Sequence, residues 1–186
     1  MSKEKTVCVY CGSAAGVRED YRFAARELGS ALANARYRLV YGGGHVGLMG
    51  VVADAVLAGG GEAIGVIPQW LADREVAHLG LTKLHVVETM HQRKNKMAEM
   101  ADAFVALPGG YGTLDELCEV LGWAQLGLHK KPIVLFDVAD YWQPFFATLD
   151  HAVSEGFLKQ NNREFAVRAT SVAEVFKILQ QAWQRD

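Results

Sequence analysis

Short apolar runs alternate with amphipathic stretches along the whole chain. Runs at Thr6–Cys11, Arg38–Tyr41, Glu62–Ile67, Leu84–Val87, Ala103–Leu107 and Pro132–Phe136 predict strands, and Glu164–Ala169 a weaker seventh. Apolar residues spaced three and four apart predict helices at Arg18–Ala35, Gly47–Gly59, Met90–Asp102, Thr113–Leu126, Tyr141–Glu155 and Ser171–Gln184. Strands and helices in alternation predict an α/β fold, a mainly parallel sheet with helices packed on both faces. No repeat, low-complexity segment or linker interrupts the pattern, so residues 1–186 read as a single domain. Pro68–Lys83 is the longest irregular piece and reads as a loop with a helical turn. It follows a strand end, where open α/β sheets hold their ligands.

Three predicted strands run into glycine-rich turns: Cys11-Gly12-Ser13-Ala14-Ala15-Gly16, Gly42-Gly43-Gly44-His45-Val46-Gly47 and Pro108-Gly109-Gly110-Tyr111-Gly112-Thr113. In a parallel sheet all three lie on the carboxyl edge and can line one crevice. Glycine lets a backbone approach a ligand closely, so a nucleotide-sized ligand is expected there. A dinucleotide fits poorly. The first turn departs from G-x-G-x-x-G, and the second strand ends in glycines rather than in the acidic residue that would hold a ribose. A mononucleotide is the better fit.

Charge and cysteines narrow the function classes. The chain has 186 residues, 51% of them hydrophobic, and a formal net charge of −2. No basic face advertises nucleic acid, and no apolar stretch approaches the roughly 18 residues of a membrane span. The N-terminus passes from Lys3-Glu4-Lys5 straight into a strand-length run, too short for a signal peptide, which predicts a cytoplasmic protein. Cys8 and Cys11 form a C-x-x-C, but on a strand residues three apart point to opposite faces. No second Cys/His pair completes a zinc site, so core cysteines are expected and no metal.

The segment Met90–Glu116 carries the chemistry. On a helical wheel of about 100° per residue, Met90, Met97, Ala98, Met100 and Ala101 gather on one side of the Met90–Asp102 helix, and Arg93 and Lys94 fall inside that apolar sector. A buried cation costs several kcal/mol, roughly, unless an anion or a set of acceptors meets it. Pro108–Thr113 then opens the next helix, whose free N–H groups favour an anion. Two cations beside a glycine-rich helix start point to a phosphate. Glu116 has two readings. Thr113-Leu114-Asp115-Glu116 matches a capping box, with Thr113 as the N-cap. On the wheel, however, Leu114, Leu117, Cys118, Leu121 and Ala124 form the core stripe, and Glu116 lies opposite with Val120, Trp123 and Gly127. A second apolar stripe calls for a second cover, another element or another subunit, and would leave Glu116 partly desolvated beside the phosphate site.

Met90-His91-Gln92-Arg93-Lys94 followed by Pro108-Gly109-Gly110-Tyr111-Gly112-Thr113-Leu114-Asp115-Glu116 resembles the LOG (Lonely Guy) family, the cytokinin riboside 5′-monophosphate phosphoribohydrolases. That family carries P-G-G-x-G-T-x-x-E preceded by an R-K pair. The likeness extends over Tyr41-Gly42-Gly43-Gly44, Gly47-Leu48-Met49-Gly50 and Trp123-Ala124-Gln125. It implies a Rossmann-like homodimer that hydrolyses the N-glycosidic bond of a nucleoside 5′-monophosphate, without a cofactor, to free base and ribose 5-phosphate. By the same likeness Arg93 and Glu116 are the catalytic pair, and Glu75, Lys94 and Gly109–Thr113 bind substrate.

Residue chemistry assigns the roles. Cleaving a ribosyl C–N bond builds positive charge on the sugar, which a carboxylate such as Glu116 offsets while activating water; Glu75 is a second candidate near the ribose or the water. Arg93 keeps its proton at any working pH, so its part is electrostatic. Gly109, Gly110, Tyr111, Gly112 and Thr113 are expected to hold the phosphate, with Gly43, Gly44 and Ser13 from the other turns and Met90 against the base. His45 could approach the ligand, whereas His91 reads as solvated. Members of the family are often labelled lysine decarboxylases. Lys94 as a pyridoxal-phosphate Schiff base has no acidic partner for the pyridinium nitrogen and is rejected. The rival from another class is a carrier or sensor that holds a mononucleotide without cutting it.

Overall fold

The computed structural model describes residues 4–74 and 77–184. Among them seven strands, β1 (Thr6–Tyr10), β2 (Arg38–Tyr41), β3 (Ala63–Pro68), β4 (Lys83–Val87), β5 (Ala103–Ala106), β6 (Ile133–Phe136) and β7 (Ala166–Ala169), build one sheet. Its order is β4-β3-β2-β1-β5-β6-β7, and every neighbouring pair is parallel. The helices are α1 (Glu19–Asn34), α2 (Gly47–Ala58), α3 (Gln69–Ala72), α4 (Met90–Met100), α5 (Tyr111–Gln125), α6 (Gln143–Ser154), α7 (Gln160–Arg163) and α8 (Val172–Trp183). Each predicted strand is present within two residues of its expected ends, the weak seventh included. The helical turn expected after Pro68 is α3. Helix α7 was not expected, since one turn is too short to show a period.

Both faces of the sheet are buried, so the strands read as near-continuous apolar runs. Alternation along β1 divides the core. Val7, Val9 and Cys11 face α1, α2 and α8, where they meet Leu28, Leu32, Val52, Val56 and Leu179. Cys8 and Tyr10 face α4, α5 and α6, against Met97, Leu117, Val120 and Phe146. Cys8 and Cys11 therefore lie on opposite sides of the sheet, both free and buried. Among the described residues no helix is long and apolar enough to cross a membrane.

The connectivity decides where a ligand site can form. From β1 the chain builds outward through β2, β3 and β4 to one edge. It then returns through α4 to lay β5 on the other side of β1. The turns leaving β1 and β5 diverge at this reversal and open a crevice beyond the strand ends, where doubly wound folds bind ligands. Gly12–Ser13 and Pro108–Gly110 stand on its two sides.

Candidate active site

Helix α4 is anchored at its start by a capping box. Thr89 Oγ1 accepts from the Gln92 N–H, and Gln92 Oε1 accepts from the N–H groups of Glu88 and Thr89. This fixes the phase of the helix and turns Arg93 into the core beneath the ends of β2 and β3. The guanidinium is met by acceptors: Nε donates to the Val66 carbonyl at 3.0 Å, and Nη2 to the Gly42 carbonyl at 2.9 Å. Nη1 lies 3.9 Å from Met90 Sδ and 3.8 Å from Glu116 Oε1. Gly42 makes this possible, because a Cβ there would come within 2.1 Å of Arg93 Nη2. The first glycine of the second turn thus makes room for a side chain of the protein itself.

Glu116 comes from α5. The helix starts at Tyr111 with Gly110 as its N-cap, so Thr113 lies inside the first turn and caps nothing. The capping-box reading of Thr113 and Glu116 is therefore wrong, and the wheel of α5 needs correcting with it. Thr113, Glu116, Leu117 and Val120 are the buried positions, while Cys118, assigned to the core stripe, is exposed. Glu116 and Val120 lie on the side that packs within this chain, so burial of Glu116 does not depend on a second subunit. Desolvation pushes the Glu116 carboxyl up to about 7, against the pull of Arg93. At 3.8 Å the two groups form an ion pair without a direct hydrogen bond.

Arg93 and Glu116 face a cavity of about 220 Å³. Its other lining residues are Val9, Cys11, Gly12 and Ser13 from the end of β1, Gly42 and Met49, Leu71 of α3, and Gly110, Tyr111, Gly112 and Thr113 at the start of α5. The backbone carbonyls of the Pro108–Gly110 turn are all engaged: Pro108 accepts from the Gly12 N–H, Gly109 from the Tyr141 hydroxyl and Gly110 from the Leu114 N–H. The first N–H groups of α5 have no partner within the helix and present positive potential at the cavity. The arrangement suits an anion at one end and a carboxylate–guanidinium pair at the other.

The other expected site residues fall elsewhere. Lys94 Nζ lies 3.0 Å from Asp115 and 3.1 Å from Glu119, bracing α4 against α5 outside the cavity lining. Gly109 lines the adjoining groove, packed closely on Thr113. Gly43 accepts from the His78 N–H and Gly44 bridges Ala77, so both support the 77–78 segment. Met90 touches Arg93 from behind the pair. His45 and His91 are exposed and do not line the cavity. Glu75 lies outside the described residues. Val9, Met49 and Leu71 were missed as lining residues; Leu71's position in a turn beyond a strand end was the available signal.

A family model described as "Possible lysine decarboxylase" matches residues 49–179. The cytokinin riboside 5′-monophosphate phosphoribohydrolase LOG of Oryza sativa subsp. japonica is 50% identical over 174 residues, 94% of this chain and 72% of that protein. A phosphoribohydrolase of the same description from Arabidopsis thaliana is 49% identical over 179 residues, 96% of this chain and 84% of its own. This chain belongs to the LOG family. The Moco carrier protein of Chlamydomonas reinhardtii superposes with a TM-score of 0.75 at 23% identity, covering 99% of this chain and 100% of that one. At that identity the likeness concerns the fold alone.

The decarboxylase wording of the family model does not fit this LOG member's lysine. A Schiff-base lysine must lose its proton to attack a carbonyl. Burial pulls the Lys94 ammonium down, but hydrogen bonds to Asp115 and Glu119 outweigh it and the net shift is upward. Lys94 is held as a cation between two carboxylates.

Proposed function

We propose that this LOG family chain hydrolyses the N-glycosidic bond of a cytokinin riboside 5′-monophosphate or a close relative such as AMP. The observation that carries this reading is a buried carboxyl pushed up to about 7, set beside a fixed guanidinium in a cavity also lined by the N-terminus of the helix that carries it. The phosphate is held by the N–H groups of Gly110–Thr113 and the Thr113 hydroxyl. Ser13 flanks it, and Gly109 shapes the turn. Held there, it orients the ribose so that the anomeric carbon meets Glu116. As the C–N bond breaks, the Glu116 carboxylate stabilises the positive charge on the sugar and takes a proton from the attacking water. The water oxygen bonds to the anomeric carbon, and the base leaves with the bonding pair and gains a proton. Arg93 holds Glu116 in place and offsets negative charge near the leaving base. Glu75 remains a candidate at the ribose, and Lys94 braces α4 against α5 and so helps to set Arg93 beside Glu116.

The active form in this reading is a homodimer in the cytoplasm. Leu126 and Leu128 are 72% and 69% exposed just beyond the half-buried Trp123, an apolar surface suited to a second copy. Three free cysteines suit a reducing compartment.

Incubating the purified protein with AMP and with isopentenyladenosine monophosphate tests the activity. Free base and ribose 5-phosphate should appear in equal amounts. Glu116→Gln should lower the rate by a factor on the order of a thousand while nucleotide affinity stays within a few fold. Tight nucleotide binding with no release of base by the wild type would leave the carrier or sensor reading standing instead.

A further inference from the structure

The turn that meets the proposed phosphate is tied from behind to a strained segment with no part in the reaction as described. Between β6 and α6, Ala139 and Asp140 both adopt left-handed backbone conformations, with φ of 53° and 60°. For residues with a Cβ such conformations are strained, so something must hold them. The clamp is Arg168 of β7, whose Nε donates to Asp137 at 2.6 Å and whose Nη2 donates to Asp140 at 2.9 Å. The Asp137 carboxylate is buried and also accepts from the Trp142 N–H and from Gln143 Nε2. Both ends of the strained turn are thereby fixed.

What the turn delivers is Tyr141. Its ring stands edge-on to Trp142 on one side and to Tyr21 on the other, and its hydroxyl donates to the Gly109 carbonyl. Of the three carbonyls in the Pro108–Gly110 turn, two are held by backbone N–H groups of neighbouring elements, and only Gly109 depends on a side chain. A carbonyl dipole swung toward the cavity would repel an anion, whereas one held away leaves the N–H groups of α5 to face it.

We propose that Tyr141, held by the Arg168–Asp137/Asp140 clamp, is a positioning residue that keeps the Gly109 carbonyl out of the cavity and so sets affinity for the substrate's phosphate. The inference rests on the phosphate-binding role given above to Gly110–Thr113. It adds a residue on an element beyond the two sequence motifs.

Calorimetric titration of ribose 5-phosphate, and of AMP in a Glu116→Gln background that does not turn it over, tests it in the parent protein, Tyr141→Phe, Arg168→Met and the double variant, with melting temperatures measured alongside. Tyr141→Phe should weaken both ligands about tenfold, and the same factor should appear in KM with a smaller change in kcat. Arg168→Met should weaken them in the same direction. The double variant should fall within about twofold of the weaker single variant, since both act through one hydrogen bond. A lowered melting temperature with unchanged affinities would mark Tyr141 as structural only and overturn the proposal, as would independent losses in the double variant. A parent protein that binds neither ligand would overturn the phosphate-site reading itself, and the inference with it.

Discussion

Glu116 sets the pH response of the molecule. Its carboxyl, with an ordinary value of 4.5, is raised to about 7 in the fold. As a base and charge stabiliser it must be ionised, so kcat/KM should rise through about pH 7 and level off above it. The same shift fixes a sign for stability. Below the unfolded value both states hold the proton. Between 4.5 and about 7 the unfolded chain releases it first, so the folded state loses stability as pH rises. Above about 7 the loss is complete, on the order of 3 kcal/mol at about 1.4 kcal/mol per tenfold. Glu116→Gln removes this dependence. Relative to wild type, its melting temperature should therefore increase by several degrees between about pH 5 and about pH 8.5. Scanning calorimetry at both pH values checks this; parallel curves would mean that Glu116 is not desolvated. Arg93 shows how far single residues could be read from the chain. A cation in an apolar sector announces that acceptors must exist, and they do, at Gly42 and Val66. The wheel could not name them, nor foresee that Lys94, one position on, would be taken by Asp115 and Glu119.

Elements were legible where one period dominated. The strands, buried on both faces, stood out as apolar runs, and α4 stood out for its misplaced cations. Helix α5 was harder, because apolar residues occur around more than half of its circumference and its packing partners choose between the stripes. Val120 went inward against the sheet, and Cys118 was left outside. Its start was misjudged for a related reason. Thr113 and Glu116 match a capping motif, but the chain turns earlier, at Gly110, so that the Pro108–Gly110 carbonyls can all be engaged. The left-handed turn at Ala139–Asp140 left no mark in the sequence, since neither residue is a glycine. Charges around it, Asp137, Asp140 and a distant Arg168, help to hold it in place.

At the scale of the molecule, the strand-order reversal beside β1 gathers residues from the two halves of the sheet. Cys11–Ser13, Gly42 with Arg93 beneath it, and Gly110–Glu116 meet there because β5 returns to the centre after β4 reaches the edge. That return could be read only from a resemblance, since strand order is set by long-range packing. The exposed Leu126 and Leu128 belong to this scale as well. Light scattering at micromolar concentration should give twice the chain mass, and Leu126→Glu with Leu128→Glu should give the single chain; a monomeric wild type would remove the homodimer. The most direct test of the whole account is a crystal structure of Glu116→Gln with AMP bound. The phosphate should rest on the N–H groups of Gly110–Thr113, with the anomeric carbon beside residue 116 and Arg93 still bonded to Gly42 and Val66. A phosphate seated elsewhere, or a sugar turned away from position 116, would contradict it.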